Sequence, residues 1–274
     1  MKKEFYNIEG YDNKEITIDL TYDTIKNNKK LIIFSHGFKG FKDWGCFNLV
    51  ANYFAEKGFI FLKYNFSHNG VNSKDLLNFI DLHAFGQNNF SKELFDLDEV
   101  ITWSLSKLSI NFDSIILIGH SRGGGISILK SSMDKRIDKL ISWASPSNFL
   151  NKFKLDKIPL WKERGVVYIY NGRTKQNMPL FIQFYNDCIE NKDKFNIKKA
   201  IFNLQVPFLI VHGNSDPTVS IDDALEMKSW KNESELFILE GADHVFGSSH
   251  PYFDDFLPKD LKSVLDKTIN FINQ

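Results

Sequence analysis

The sequence predicts an α/β architecture, a mostly parallel central sheet with helices on both faces, and two observations carry that prediction. From about residue 30 onward, short apolar runs alternate with segments of helical periodicity, and the runs are continuously apolar, as strands covered on both faces are. One of them, Ser114-Ile115-Ile116-Leu117-Ile118, leads directly into Gly119-His120-Ser121-Arg122-Gly123, a serine with glycine two before and two after it. Such a serine sits on a sharp turn between a buried strand and a helix, where glycines remove side chains that would collide.

Taken in order, Tyr6 to Glu9 and Ile16 to Leu20 alternate polar and apolar residues around Gly10-Tyr11-Asp12-Asn13, which predicts an antiparallel hairpin at one edge of the sheet. Leu31 to Phe34 is the first strand of the parallel series, Phe47 to Lys57 an amphipathic helix, and Phe59 to Tyr64 the second strand. Leu94 to Leu108 places Leu94, Leu97, Val100, Ile101, Leu105 and Leu108 on one helical face. Ile115 to Ile118 delivers the serine. Gly123-Gly124-Gly125 then lets a helix begin close beneath the sheet, with its N-terminal amides turned toward an oxyanion. Leu140 to Trp143 is the fourth strand, Val206 to Val211 and Leu236 to Leu239 complete the series, and Leu261 to Ile272 is a closing helix.

With 274 residues, 43% of them hydrophobic, the chain can bury one large core, and residues 1–274 read as a single domain. One interval breaks the strand–helix rhythm. About sixty residues separate Ser145-Pro146 from Val206, more than an ordinary loop needs. This interval, at about 146–205, reads as a cap inserted over the serine. Its aromatic residues either pack the cap's own small core or line a substrate pocket; Trp161, Tyr168 and Tyr170 are the candidates for the second role.

Composition excludes several function classes. The chain carries 34 basic and 34 acidic residues, so no global basic field is present to attract nucleic acid or an anionic membrane, and neither is expected as a partner. The N-terminal Met1-Lys2-Lys3-Glu4-Phe5-Tyr6-Asn7 lacks an apolar core of the signal-peptide type, and no segment approaches the length of a membrane span. A cytoplasmic monomer or homodimer is the expectation. Cys46 and Cys188 lie far apart without metal-ligand spacing and read as reduced structural residues, with one long-range disulfide as the alternative. His36, His120 and His212 stand singly at strand ends, so neither a metal nor a cofactor is predicted.

A serine hydroxyl is a weak nucleophile and needs a base within hydrogen-bond reach, with a carboxylate fixing the base's tautomer. Asp216, in the turn Gly213-Asn214-Ser215-Asp216-Pro217 that follows an apolar strand, is the acid candidate. Asp222 and Asp223 are fallbacks that read better as first-turn residues of the next helix. His244, in Glu240-Gly241-Ala242-Asp243-His244 past the last strand, is the base candidate, and His250 its alternative. Two backbone amides should hold the oxyanion: that of Arg122, next after the serine, and that of Phe38 in Ser35-His36-Gly37-Phe38. The Arg122 guanidinium reads as half of a structural ion pair, with recognition of a substrate carboxylate as the second possibility.

The motifs Ser35-His36-Gly37-Phe38, Gly119-His120-Ser121-Arg122-Gly123, Gly213-Asn214-Ser215-Asp216 and Gly241-Ala242-Asp243-His244 resemble, in order and spacing, those of the α/β-hydrolase superfamily. Within it the chain is similar to the bacterial cinnamoyl/feruloyl-esterase-like and dienelactone-hydrolase-like members. The resemblance implies hydrolysis of a small or aromatic acyl ester through an acyl-serine intermediate, with Ser121, Asp216 and His244 as triad and Phe38 and Arg122 as oxyanion donors. Two departures limit what carries over. Tyr64-Asn65-Phe66-Ser67-His68-Asn69-Gly70 replaces the aspartate-rich segment typical of feruloyl esterases, and serine stands where dienelactone hydrolases use cysteine. The same fold also serves serine peptidases, amidases and non-catalytic ligand-binding proteins, which are the alternative expectations.

Overall fold

A computed structural model describes residues 1–23, 29–108, 110–150 and 155–274. The chain opens with strands β1 (Lys2–Glu9) and β2 (Glu15–Tyr22), an antiparallel pair in which Ile8 lies opposite Ile16. After β3 (Lys30–Ser35) and α1 (Phe47–Glu56), β4 (Ile60–Tyr64) runs parallel to β3 and antiparallel to β2, setting Leu62 opposite Leu20. Then come α2 (Leu82–Gln87), α3 (Phe90–Lys107), β5 (Ser114–His120), α4 (Arg122–Met133) and β6 (Lys139–Trp143). The interval that follows holds α5 (Ile158–Arg164), β7 (Val166–Asn171), β8 (Gln176–Phe181), α6 (Gln183–Glu190) and α7 (Ile197–Asn203). The chain closes with β9 (Phe208–Gly213), α8 (Ile221–Trp230), β10 (Glu235–Leu239) and α9 (Lys259–Ile272).

Among the described residues eight strands form one sheet in the order β1-β2-β4-β3-β5-β6-β9-β10, parallel from β4 onward. Its middle strands bury every apolar side chain, including Ile32, Ile33, Ile116, Ile118, Ile141 and Ile210, because helices cover both faces. Edge strand β1 alternates exposed and half-buried residues instead. The expected parallel sheet with N-terminal antiparallel strands is therefore present.

Helix α3 begins a turn before the apolar periodicity that predicts it. Asn89 caps it by accepting from the Lys92 amide at 2.9 Å, and the first turn then buries Phe90. Asp222 and Asp223 occupy the first turn of α8, where the helix dipole favours carboxylates. Both cysteines are free and buried.

The expected cap, apart from residues 151–154, which lie outside the described residues, has two kinds of content. β7 and β8 form a two-stranded antiparallel sheet with Ile169 opposite Met178, and β8 packs on α2. Trp161 of α5 is tied to this hairpin by its indole N–H, which donates to the Leu180 carbonyl at 2.9 Å. α7, in contrast, packs on α4 and α8 as part of the layer over the main sheet. Among the described residues no helix is long and apolar enough to cross a membrane.

Candidate active site

Ser121 ends β5 and begins α4 with φ 55° and ψ −124°, a conformation that costs a non-glycine residue about 1–3 kcal/mol. Its amide donates to the Trp143 carbonyl at 2.8 Å, and the neighbouring glycines make the turn possible. A Cβ on Gly119 would lie 2.2 Å from the Gly123 oxygen, and one on Gly123 would lie 2.3 Å from the Ser35 oxygen. No side chain fits at either position.

The loops after β9 and β10 bring Asp216 and His244 together. His244 Nδ1 lies 2.7 Å from Asp216 Oδ2, so Nδ1–H donates and Nε2 keeps its lone pair. Asp216 Oδ1 accepts from the Thr218 and Val219 amides at 2.7 and 3.0 Å. His212 Nε2 approaches Oδ2 at 3.4 Å while donating to the Val219 carbonyl at 3.0 Å. Burial of the Asp216 side chain alone would raise its pKa. The hydrogen bonds from His212, His244 and Val219 outweigh burial and hold the carboxyl well below the usual range.

Two further histidines are fixed in the neutral state. His120 donates from Nε2 to the His244 carbonyl at 2.9 Å, anchoring the loop that carries His244. Burial, with His244 nearby, lowers its pKa to about 3. His36 donates from Nδ1 to the Gly37 carbonyl at 2.9 Å, and its Nε2 faces the Phe66 amide and Asn69 Nδ2, each at 3.4 Å. Burial lowers its pKa to about 4.

His36 thereby braces the loop that holds Gly37 and Phe38. A Cβ on Gly37 would lie 3.0 Å from Ser121 Cβ, so this loop runs directly against the serine, and Phe38 lines both recesses with it. A buried ring of charges ties down the loop's far end. Lys42 pairs with Asp19 and Asp43 at 2.7 and 2.5 Å, and Lys63 pairs with Asp19 at 2.6 Å and with Asp43. The Arg122 amide, at the first position of α4, belongs to the turn whose N–H groups have no partner within the helix.

The Arg122 side chain forms the expected ion pair, 3.4 Å from Glu93. It also lies over the Phe38 ring at 4.0 Å and within 5.2 Å of the Phe90 and Phe184 rings. Glu93 accepts from Asn88 Nδ2 at 2.7 Å, and its burial raises its pKa against the opposing pull of Arg122.

Two recesses meet at Ser121 and Phe38. One, of about 70 Å³, is bordered by His120, His244, Trp44 and Arg173. The other, of about 610 Å³, is walled mainly by apolar residues, among them Phe90, Phe149, Ile158, Leu180 and Phe184. Trp161 is part of that wall. Tyr168 borders it but is 64% exposed, and Tyr170, 60% exposed, does not line it. The cause is strand alternation: Val167 and Ile169 of β7 turn inward, and the tyrosines between and beyond them turn out.

The alternative acid and base are engaged elsewhere. Asp223 accepts from the Ser147 amide and hydroxyl at 2.6 and 2.8 Å. His250 accepts from the Gly45 amide at 3.0 Å and packs against Phe41 and Trp44. Glu93, beside Arg122, and Phe90 and Phe149, in the cavity wall with Ser121, are not marked by the sequence. Their helical or loop positions carry no chemical signature, whereas His36 and His120 stand within the motifs themselves.

A serine on a strand-to-helix elbow, with a carboxylate–imidazole pair on the loops after the last two parallel strands, defines the class: this is the α/β-hydrolase fold. No protein-family model matches the chain. In sequence it is similar to two proteins named "Putative esterase/lipase 2". That of Mycoplasma genitalium is 26% identical over 254 residues, 84% of this chain and 88% of the relative. That of Mycoplasma pneumoniae is 23% identical over 259 residues, 85% of this chain and 89% of the relative. In structure the chain is similar to Est1E from Butyrivibrio proteoclasticus with ferulic acid bound, with a TM-score of 0.73 and 20% identity over 98% of this chain and 100% of that one.

Proposed function

We propose that the chain is a serine carboxylester hydrolase that works through an acyl-serine intermediate on esters of apolar acids of small or aromatic size. The 2.7 Å bond from His244 to Asp216, at the mouth of the elbow that presents Ser121, is the observation that carries this reading. His244 Nε2 takes the Ser121 proton as Oγ bonds to the ester carbonyl carbon, and the carbonyl oxygen becomes an oxyanion on the Phe38 and Arg122 amides. Collapse breaks the bond to the leaving oxygen, which receives the proton from His244. Water, deprotonated by the same nitrogen, then attacks the acyl-serine, releases the acid and restores Ser121. The apolar cavity of about 610 Å³ supports an apolar acyl group, and its size lies within the range of small-ligand sites, about 300–1,000 Å³. The esterase names of the sequence relatives and the ferulic acid bound to Est1E support the same reading.

The test is intact-mass analysis after treatment with a fluorophosphonate, comparing wild type with Ser121→Ala, beside turnover of p-nitrophenyl acetate, butyrate and octanoate and of aminoacyl-p-nitroanilides. One adduct that disappears in Ser121→Ala, with esters turned over in preference to anilides, is expected. No adduct on folded protein, or a preference for anilides, overturns the proposal.

A further inference from the structure

The smaller recess, on the His244 side of Ser121, carries positive charge that hydrolysis of a neutral ester does not use. Lys39, from the loop after β3, and Arg173, from the turn between β7 and β8, both line it, and no carboxylate does. Arg173 donates to the Lys39 carbonyl at 3.2 Å, and its guanidinium lies 5.1 Å from the centre of a Trp44 ring. Among the described residues neither Lys39 nor Arg173 forms an ion pair with an acidic side chain. Burial, with Arg173 adjacent, lowers the Lys39 pKa, the response of an ammonium group that has a cationic neighbour and no counter-ion.

A second observation is independent of charge. Trp44 also lines this recess and is only 5% exposed, and its indole N–H is buried without an acceptor. An indole nitrogen can only donate, and a buried donor left unpaired is costly. Two cations and an orphaned donor around one recess share a single complement, an anionic acceptor.

The reaction assigns that anion to one half of the substrate. His244 returns its proton to the leaving oxygen, so the alcohol departs through the recess that His244 borders. The acyl group then takes the apolar cavity on the other side, where Arg122 is already occupied by Glu93 and three aromatic rings. We infer that the alcohol moiety of the substrate carries an anionic group, a carboxylate or a phosphate, held by Arg173, Lys39 and the Trp44 indole N–H. The preferred substrates are then esters joining an apolar acid to a small acidic alcohol. This inference rests on the esterase reading above.

Matched esters test it. 4-(Butyryloxy)benzoate against 4-(butyryloxy)benzamide forms the carboxylate arm, and butyryl-glycerol phosphate against monobutyrin forms the phosphate arm. In at least one arm wild type should favour the anionic ester in kcat/KM by about tenfold or more, the scale of a charge-assisted hydrogen bond. The preference should shrink at about 0.5 M salt, where exposed charges are screened. Arg173→Gln and Trp44→Phe should each lower the anionic-to-neutral ratio, Arg173→Gln more, chiefly through KM of the anionic ester. Because the ratio is taken within one variant, a general loss of activity does not imitate the effect. A wild-type ratio near or below one in both arms, or a ratio that neither variant changes, overturns the inference while leaving esterase activity standing. Turnover of neither member of either pair overturns this inference, and the esterase reading falls with it only if p-nitrophenyl butyrate is not turned over either.

Discussion

Asp216 and Trp161 are held in place by different means. The carboxylate of Asp216 accepts from two backbone amides and faces two imidazoles, at distances between 2.7 and 3.4 Å, on loops anchored to adjacent parallel strands. Trp161, on a short helix, donates to the Leu180 carbonyl of the adjacent hairpin, lies against the Tyr185 ring and contributes apolar surface to a cavity wall. Directional bonds fix the position of an atom, which chemistry demands. Apolar contact fixes only a volume, and many side chains can fill the same volume. The sheet edge is therefore built to one geometry, and the segment between β6 and β9 can change its occupants while the chemistry persists.

Changes at the sheet edge should have the largest effects. Ser121→Ala should lower kcat for p-nitrophenyl butyrate by about 10⁴-fold or more, because in the proposed mechanism removing the nucleophile leaves only the oxyanion amides and binding. Asp216→Asn should come next, with a loss of about 10⁴-fold, since an amide in place of the carboxylate permits the wrong His244 tautomer. Circular dichroism should show both variants folded. A loss below tenfold in Asp216→Asn would show that the carboxylate does not set the tautomer and would break the contrast with Trp161.

On the cavity side, Trp161→Ala should destabilise the protein by about 3–5 kcal/mol, the usual cost of removing a large buried aromatic side chain. It should also weaken discrimination among acyl chains, read from kcat/KM for acetate, butyrate and octanoate esters, while fluorophosphonate labelling of Ser121 persists. Loss of labelling in a folded variant would show that the wall is coupled to the chemistry after all.

Stability should fall as the pH is lowered from about 6.5 toward 4.5. His36 and His68 titrate at about 4 and His120 at about 3 in the folded chain, below the unfolded value of about 6.5. Unfolding therefore takes up protons in this window, and each group adds a slope of at most about 1.4 kcal/mol per pH unit. Their contribution is complete above the unfolded value and is lost as the pH falls toward the folded one. Asp96 works in the opposite sense: burial raises its carboxyl to about 6, so below that pH the folded state holds a proton that the unfolded chain releases until about 4. Glu93, raised by burial, acts with Asp96, and His250, lowered by burial, acts with the other histidines; four histidines then oppose two carboxyls, and melting temperature against pH measures the net slope. His68→Gln should flatten it; an unchanged slope would place the titration elsewhere.

Much of this was legible in the sequence because sheet and elbow leave redundant marks. The strands are continuous apolar runs, and the elbow needs glycine at Gly119 and Gly123, where any Cβ would meet a carbonyl oxygen at 2.2–2.3 Å. Asp216 and His244 each follow such a run, so strand order alone suggested that they meet. The hairpin of β7 and β8 left weaker marks. Val166-Val167-Tyr168-Ile169-Tyr170 reads as apolar throughout, and only the partner surface decides which face is covered. The neutral histidines and the aromatic clasp on Arg122 depend on contacts between residues far apart in the chain, which no local pattern encodes.

The smallest expected effect draws the contrast within a single strand. Tyr170 is as aromatic as Trp161 and lies in the same segment, so composition alone gives both an equal claim to the substrate. β7 divides them: Ile169 turns toward the cavity, and Tyr170, one residue on, turns to solvent. Tyr170→Ala should accordingly shift stability by no more than about 0.5 kcal/mol, as exposed substitutions do, and leave the ranking of acyl esters as in wild type. Ile169→Ala should change that ranking, because it removes a piece of the wall. If Tyr170→Ala altered acyl preference as strongly as Ile169→Ala, the hairpin would have to present its other face to the substrate during turnover, and the cavity would not be the acyl site.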